Sequence, residues 1–159
     1  MPSSERPTNF GLAWLFLSLS LAVHVFDEAL TGFLPVYNAT VRALRAEYSW
    51  YPMPTFEFRE WLALLAAAVV ILLLLTPLAY RNARGLRPFA YFFALVMFLN
   101  GMGHTLATIF GRAASSVPIP RPAPGFYSSP LLLVVSIWLF MALWRTRRHH
   151  TRRVLAANP

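Results

Sequence analysis

The chain has 159 residues, of which 57% are hydrophobic and only 13% are charged, and its formal net charge is +8. A soluble domain carries about 25% charged residues, so this composition indicates a membrane protein. The absence of cysteine excludes disulfides, thiolate metal sites and cysteine nucleophiles, and the absence of lysine excludes a Schiff-base lysine. The arginines cluster beside apolar runs, where a membrane topology accounts for them, so we expect no nucleic-acid partner.

The apolar runs predict an all-α protein, folded as one polytopic membrane domain over residues 1–159. A hydrocarbon core about 30 Å thick needs about 20 mostly apolar residues in each crossing helix. Four runs meet this condition and predict a four-helix transmembrane bundle, with spans at about 10–34, 61–80, 89–110 and 127–145. Between the first two spans, Asn38 is placed to cap a short interfacial helix that runs to about Glu47.

Two separate groups of arginines predict the orientation of the chain in the membrane. Four spans put both termini on one side, together with the Arg81–Arg87 loop and the basic tail at 145–159. The positive-inside rule makes this side cytoplasmic. We therefore expect a multi-pass protein of the cell (inner) membrane whose tail contacts anionic lipid headgroups.

Ionisable residues interrupt the first span on a single face. His24, Asp27 and Glu28 stand at positions i, i+3 and i+4 of a helix, so their side chains lie on the same side. An ionised Asp at the centre of a membrane helix costs about 2.5–3.5 kcal/mol on translocon scales. Such residues are expected to face the interior of a bundle, bind something or stay protonated.

The third span carries a matching polar face. Asn100 and His104 are separated by one helical turn, and His24 and His104 both lie about 21–22 Å along their spans at a rise of about 1.5 Å per residue. The two spans run in the same direction, so their polar faces can meet at one level. The candidate site residues are His24, Asp27, Glu28, Asn100 and His104, with Glu57, Glu60 and Tyr127 as further contributors from the outer ends of the other spans.

The two motifs together resemble the HXXEE family of bacterial membrane proteins. The first motif covers His24 to Glu28 and has Asp at the position of the first glutamate of the family. The second, Asn-x-x-x-His, covers Asn100 to His104 and matches fully, whereas a Tyr-x-Pro-Gly motif is degenerate at Tyr127 to Pro130. The resemblance extends over about residues 10–145 and implies a shared polar site without naming a reaction.

Three kinds of chemistry suit the cluster. As a metal site it would use His24, Asp27, Glu28 and His104 as ligands, and without cysteine it would suit Zn, Fe or Mn. Without a metal, Asp27 or Glu28 would act as an acid or base beside a histidine. A third interpretation is non-catalytic, with the same residues forming either a structural polar network or a proton relay.

Our leading prediction is a small membrane-embedded enzyme that acts on a lipid or other apolar substrate and depends on a divalent metal. The first alternative is a proton-coupled carrier, against which the second and fourth spans offer almost no polar lining. A homodimer would supply more of that lining. The second alternative is a structural partner of another membrane protein.

Overall fold

A computed structural model of the protein describes residues 9–112 and 117–156, with side chains as far as residue 145. These residues form an all-α fold, as predicted. The helices are α1 Asn9–Thr31, α2 Phe33–Glu47, α3 Phe58–Leu74, α4 Thr76–Tyr80, α5 Leu86–Phe110 and α6 Ser129–Ala156. Most of the side chains of the predicted basic tail lie outside the described part.

Three stretches among the described residues are long and apolar enough to cross a membrane. They are Asn9–Thr31, Phe58–Tyr80 and Leu86–Phe110, which lie within a few residues of the first three predicted spans. The apolar part of α6, Ser129–Arg145, is shorter. The side chains on the outside of these helices are largely apolar, among them Leu74 and Phe92, which is typical of a lipid-facing surface.

Helix α2 begins earlier than the sequence predicts. Gly32 separates α1 from α2 with a left-handed backbone (φ +78°), so the chain turns and resumes helix at Phe33. The prediction that Asn38 caps this helix is wrong, because Asn38 lies inside it. Its side-chain amide donates to the carbonyl of Phe56 at 2.9 Å and accepts from the Phe56 N–H at 3.1 Å, which fastens the following loop to α2.

The second predicted span is divided into α3 and α4 at Leu75. Pro77 has no N–H to donate to the carbonyl four residues earlier, and a proline at this position favours a new helix start. The buried indole of Trp14 in α1 donates to the carbonyl of Leu72 at 2.9 Å, just before the break. The break therefore coincides with a hydrogen bond between helices.

Helix α1 is the centre of the fold. It packs against α6 and against α3 and α4, and it contacts α5 at only a few positions. The main core lies among these helices and includes Phe10, Trp14, Leu17, Phe93 and Leu139. Helices α3 and α5 both flank α1 without packing extensively against one another, which leaves a groove between them.

Gly101 allows α5 to approach α6 closely. A Cβ atom at Gly101 would lie 3.0 Å from the carbonyl oxygen of Ser129. By contrast, a Cβ atom at Gly103 would meet nothing within 4 Å. The first glycine thus serves helix packing, and the second leaves space beside the polar face of α5.

Candidate metal centre

Two histidines and one glutamate converge between α1 and α5. The Nε2 atoms of His24 and His104 lie 3.4 Å and 3.1 Å from the same carboxylate oxygen, Oε1 of Glu28. The ring centroids of the two histidines are 4.9 Å apart. All three residues are buried, and Phe33 of α2 covers the ring of His104 with a centroid separation of 5.4 Å.

Ser128 connects His24 to Asp27. The Ser128 hydroxyl donates to Oδ2 of Asp27 at 2.7 Å, and the Ser128 N–H donates to the same oxygen at 2.9 Å. Nδ1 of His24 lies 2.7 Å from that hydroxyl, whose single proton already has two oxygen acceptors, Oδ2 of Asp27 and, at 3.3 Å, the Gly125 carbonyl. We therefore assign the His24 hydrogen to Nδ1, which donates to Ser128.

This tautomer leaves the Nε2 atom of a neutral His24 as an acceptor that faces a carboxylate. Within the described residues this buried nitrogen has no hydrogen-bond partner. Two acceptors 3.4 Å apart in a buried site repel unless a positive charge lies between them. A proton on His24 would supply that charge, and so would a metal ion.

Gly125 forms a roof over the three residues. A Cβ atom built on it would lie 3.0 Å from each of three carbons, namely Cγ of Glu28 and the Cε1 atoms of His24 and His104. Its backbone is left-handed, with φ +79°, a conformation that side chains disfavour. Only glycine fits this close approach without displacing the site.

Two threonines fasten the Gly125 loop to the helices that carry the site. Thr31 Oγ1 donates to the carbonyl of Asp27 at 2.6 Å and accepts from the Gly125 N–H at 3.0 Å. Thr108 Oγ1 donates to the carbonyl of His104 at 2.9 Å and accepts from the Ala123 N–H at 2.9 Å. The loop is therefore held one helical turn beyond the site on both α1 and α5.

The geometry of the group fits a divalent metal ion. Each of the three residues offers a nitrogen or oxygen atom such that these atoms lie within 4.8 Å of one another. Zinc bonds of about 2.0–2.2 Å at tetrahedral angles put neighbouring ligand atoms about 3.4 Å apart, close to both observed separations. Histidine ligands usually donate their second ring N–H to an oxygen, as His24 does to Ser128.

The structure brings together three of the four predicted metal ligands. Asp27 lies beside the group and contacts it through Ser128. Asn100 lies one turn before His104, half-buried, and contributes no atom to the group.

The predicted outer contributors also lie apart from it. Glu57 and Glu60 are exposed and form a capping box at the start of α3, in which Glu60 accepts from the Glu57 N–H. Tyr127 is 70% exposed.

Ser128, Gly125 and the two threonines were not among the predicted site residues. The threonines stand four residues after Asp27 and after His104, so each lies on the same helix face as a site residue. The Pro124-Gly125 dipeptide is a standard turn signal. Both signals are present in the sequence, but only the fold shows that they meet.

No protein-family model, curated protein or solved structure matches the chain. The resemblance to the HXXEE family therefore stays a prediction based on the two motifs. The class of protein that the structure supports directly is an α-helical protein with membrane-length helices and a buried group of two histidines and one glutamate.

Proposed function

We propose that the protein is a membrane-embedded, metal-dependent enzyme that acts on a lipid or other apolar substrate. One observation carries this proposal: the buried Nε2 atom of His24 faces the Glu28 carboxylate without a hydrogen bond, beside a second histidine. A divalent ion shared by His24, Glu28 and His104 would replace the repulsion between acceptors with three bonds. It would also offset the cost of a carboxylate in the membrane.

Such an ion would supply Lewis-acid chemistry, polarising a substrate oxygen and lowering the pKa of a bound water. Three protein ligands are typical of catalytic zinc sites, since they leave a position open. Among divalent ions, zinc, iron and manganese all suit two imidazoles and a carboxylate. Ser128 and Asp27 would hold the His24 ring in its ligating tautomer.

Asn100 is the residue best placed to bind a substrate. Its side-chain amide is half-buried and lines two cavities that follow one another along one face of α5. Across residues 9–112 and 117–145, no protein group forms a hydrogen bond with it. An amide at this depth costs free energy unless something pairs with it, and a substrate carbonyl or a water would do so.

The topology proposed for this enzyme has four spans, with α6 as the shorter fourth crossing. Both termini would lie in the cytoplasm, on the side of the Arg81–Arg87 loop, which puts the site in the outer half of the inner membrane. The apolar substrate would then reach the site from the bilayer itself.

Metal analysis of the purified protein tests the proposal. We expect about one zinc, iron or manganese ion per chain by mass spectrometry, and loss of that metal in His104→Ala and Glu28→Gln. His149→Ala and Glu60→Gln are the matched controls, because they remove a tail histidine and an exposed carboxylate, and both should keep the metal.

Other outcomes would favour the alternatives. Wild-type protein without stoichiometric metal, prepared without chelators, would contradict the metal site. Proton flux in proteoliposomes that is lost in Glu28→Gln would identify a proton-coupled carrier. If the Glu28 and His104 variants fold normally and the cells show no change, the cluster is a structural network.

A further inference from the structure

Two cavities meet at Asn100, one after the other along the same face of α5. One has a volume of about 460 Å³ and opens between α1, α3 and α5, and the other has about 470 Å³ and lies under α2 and the loop before α6. Glu28 lines the first cavity and His104 lines the second. A molecule that occupies both would therefore pass directly by two of the three proposed metal ligands.

The first cavity suits an apolar chain. Apart from Glu28 and Asn100 its walls are apolar, with Leu65 and Ala68 from α3 opposite Phe92 and Val96 from α5. Because α3 and α5 barely touch, the cavity opens toward the lipid-facing surface of the helices. Its volume lies in the range of pockets that enclose one small molecule, about 300–1,000 Å³, which favours one acyl chain over the two chains of a phospholipid.

The second cavity suits a negatively charged head. Arg112, an exposed residue just after the end of α5, is the arginine in its wall, and within the described residues its guanidinium has no ion-pair partner. An arginine that faces a cavity is a preferred ligand for a carboxylate or phosphate. Gly103 widens this cavity, because a side chain there would enter it.

We propose that the substrate is a single-chain anionic amphiphile, with an acyl chain joined through its carbonyl to a small acidic head. The chain lies between α3 and α5, and the carbonyl is within reach of the Asn100 amide. The head pairs with Arg112. This assignment rests on the proposed enzyme function for the site, but the binding it describes is measured separately from the metal.

Photolabelling with an N-palmitoylglycine that carries a diazirine in its chain tests this assignment in proteoliposomes. We expect labelling on α3 and α5, and Ala68→Trp should weaken it about tenfold by filling the cavity. Ala67→Trp is the matched control, since Ala67 is the preceding residue, is exposed and does not line the cavity. Its labelling should equal that of the wild type.

The acidic head is tested in the same assay. Arg112→Gln should weaken labelling by about tenfold or more, the usual effect of losing a hydrogen bond to a charged group. Arg59→Gln, which changes an exposed arginine outside the cavity, should have no effect. Unlabelled N-palmitoylglycine should compete at least about tenfold better than neutral N-palmitoylglycinamide.

Three results would overturn the assignment: equal labelling of Ala68→Trp and Ala67→Trp, equal competition by the neutral amide, or equal competition by two-chain phosphatidylglycerol. Metal content measured on the same samples separates this proposal from the one before it. The expected labelling pattern without bound metal would keep the substrate class and contradict the metal centre. Bound metal without the pattern would keep the centre and contradict the substrate class.

Discussion

Helix α1 contacts α5 at two levels, an apolar level around Trp14 and a polar level around His24. Toward its start, Trp14 packs against Phe93 with ring centroids 5.5 Å apart, and its indole N–H is paired with a carbonyl of α3. Toward its end, the ring of His24 meets that of His104 at 4.9 Å beside a carboxylate. Trp14 and His24 are both 0% exposed, so depth of burial does not distinguish the two levels.

The distinction lies in whether the buried polar atoms are satisfied. At the level of Trp14 the polar atom of the side chain is paired, and the surrounding residues are apolar. At the level of His24 a buried nitrogen is left facing an acceptor. The first level is built to stabilise the helices. An unpaired buried nitrogen beside a carboxylate lowers stability, and a bound cation or a proton on His24 would offset that cost.

The largest expected effect is the loss of stability when the apolar level around Trp14 is changed. Trp14→Ala removes a buried aromatic ring and its hydrogen bond, and should lower the free energy of unfolding in detergent by about 3 kcal/mol. Bound metal in the folded fraction should not change. Trp50→Ala is the control, because Trp50 is 76% exposed and should cost less than about 0.5 kcal/mol. Equal losses would show that the Trp14 level is not a stabilising core.

Gly125→Ala should disturb the group formed by His24, Glu28 and His104. Its left-handed backbone makes a side chain cost about 1–2 kcal/mol, and the added Cβ also presses on all three proposed ligands. Gly32→Ala has nearly the same φ but open space around the new atom, so it should cost the strain alone. We therefore expect reduced metal content in the first variant only. Loss of metal from both variants would mean that backbone strain, and not contact of the new Cβ atom with the proposed ligands, removes the metal.

Ser128→Ala should weaken metal binding without removing any of the three proposed ligands. Loss of the hydroxyl that orients His24 should reduce metal affinity about 10–100-fold, measured by competition with a chelator. Ser136→Ala is its counterpart, since that hydroxyl is also buried but has no partner within the described residues. It should leave affinity unchanged and keep or raise stability. Unchanged affinity in Ser128→Ala would remove the orienting role.

Asn100→Leu should have the smallest effect on folding, and it should stabilise the fold where the other variants destabilise it. Replacing an unpaired, half-buried amide with an apolar side chain should raise the free energy of unfolding by about 1 kcal/mol. Metal should stay bound, whereas photolabelling by N-palmitoylglycine should fall. Leu99→Asn, which puts an amide on the lipid-facing side, should instead lower stability. Destabilisation by Asn100→Leu would mean that the amide has a structural partner.

Prediction from the sequence succeeded where the relevant spacing lies within one helix. Apolar run length predicted four spans, of which three are confirmed as membrane-length helices and the fourth is shorter. Counting residues along α1 and α5 put His24 and His104 at one level. It could not tell which of the adjacent acids faces the histidines, because Asp27 and Glu28 lie on nearly the same side of the helix. In the fold Glu28 meets both rings, and Asp27 turns to Ser128.

Contacts between distant parts of the chain could not be predicted. Ser128 and Gly125 reach α1 from about a hundred residues away, through bonds that depend on how α6 packs. The start of α2 was missed for another reason. A single glycine can redirect the chain from one helix straight into the next, and only the backbone at Gly32 shows that it does so here.

The roof at Gly125 also sets an order of events during biosynthesis. Ribosomes make α1 first, so His24 and Glu28 enter the bilayer before the loop that covers them exists. His104 follows, and the covering loop and Ser128 arrive with α6. We therefore expect newly made chains that end before α6 to hold the first helix weakly in the membrane, and the proposed metal ion to bind only after α6 has been made.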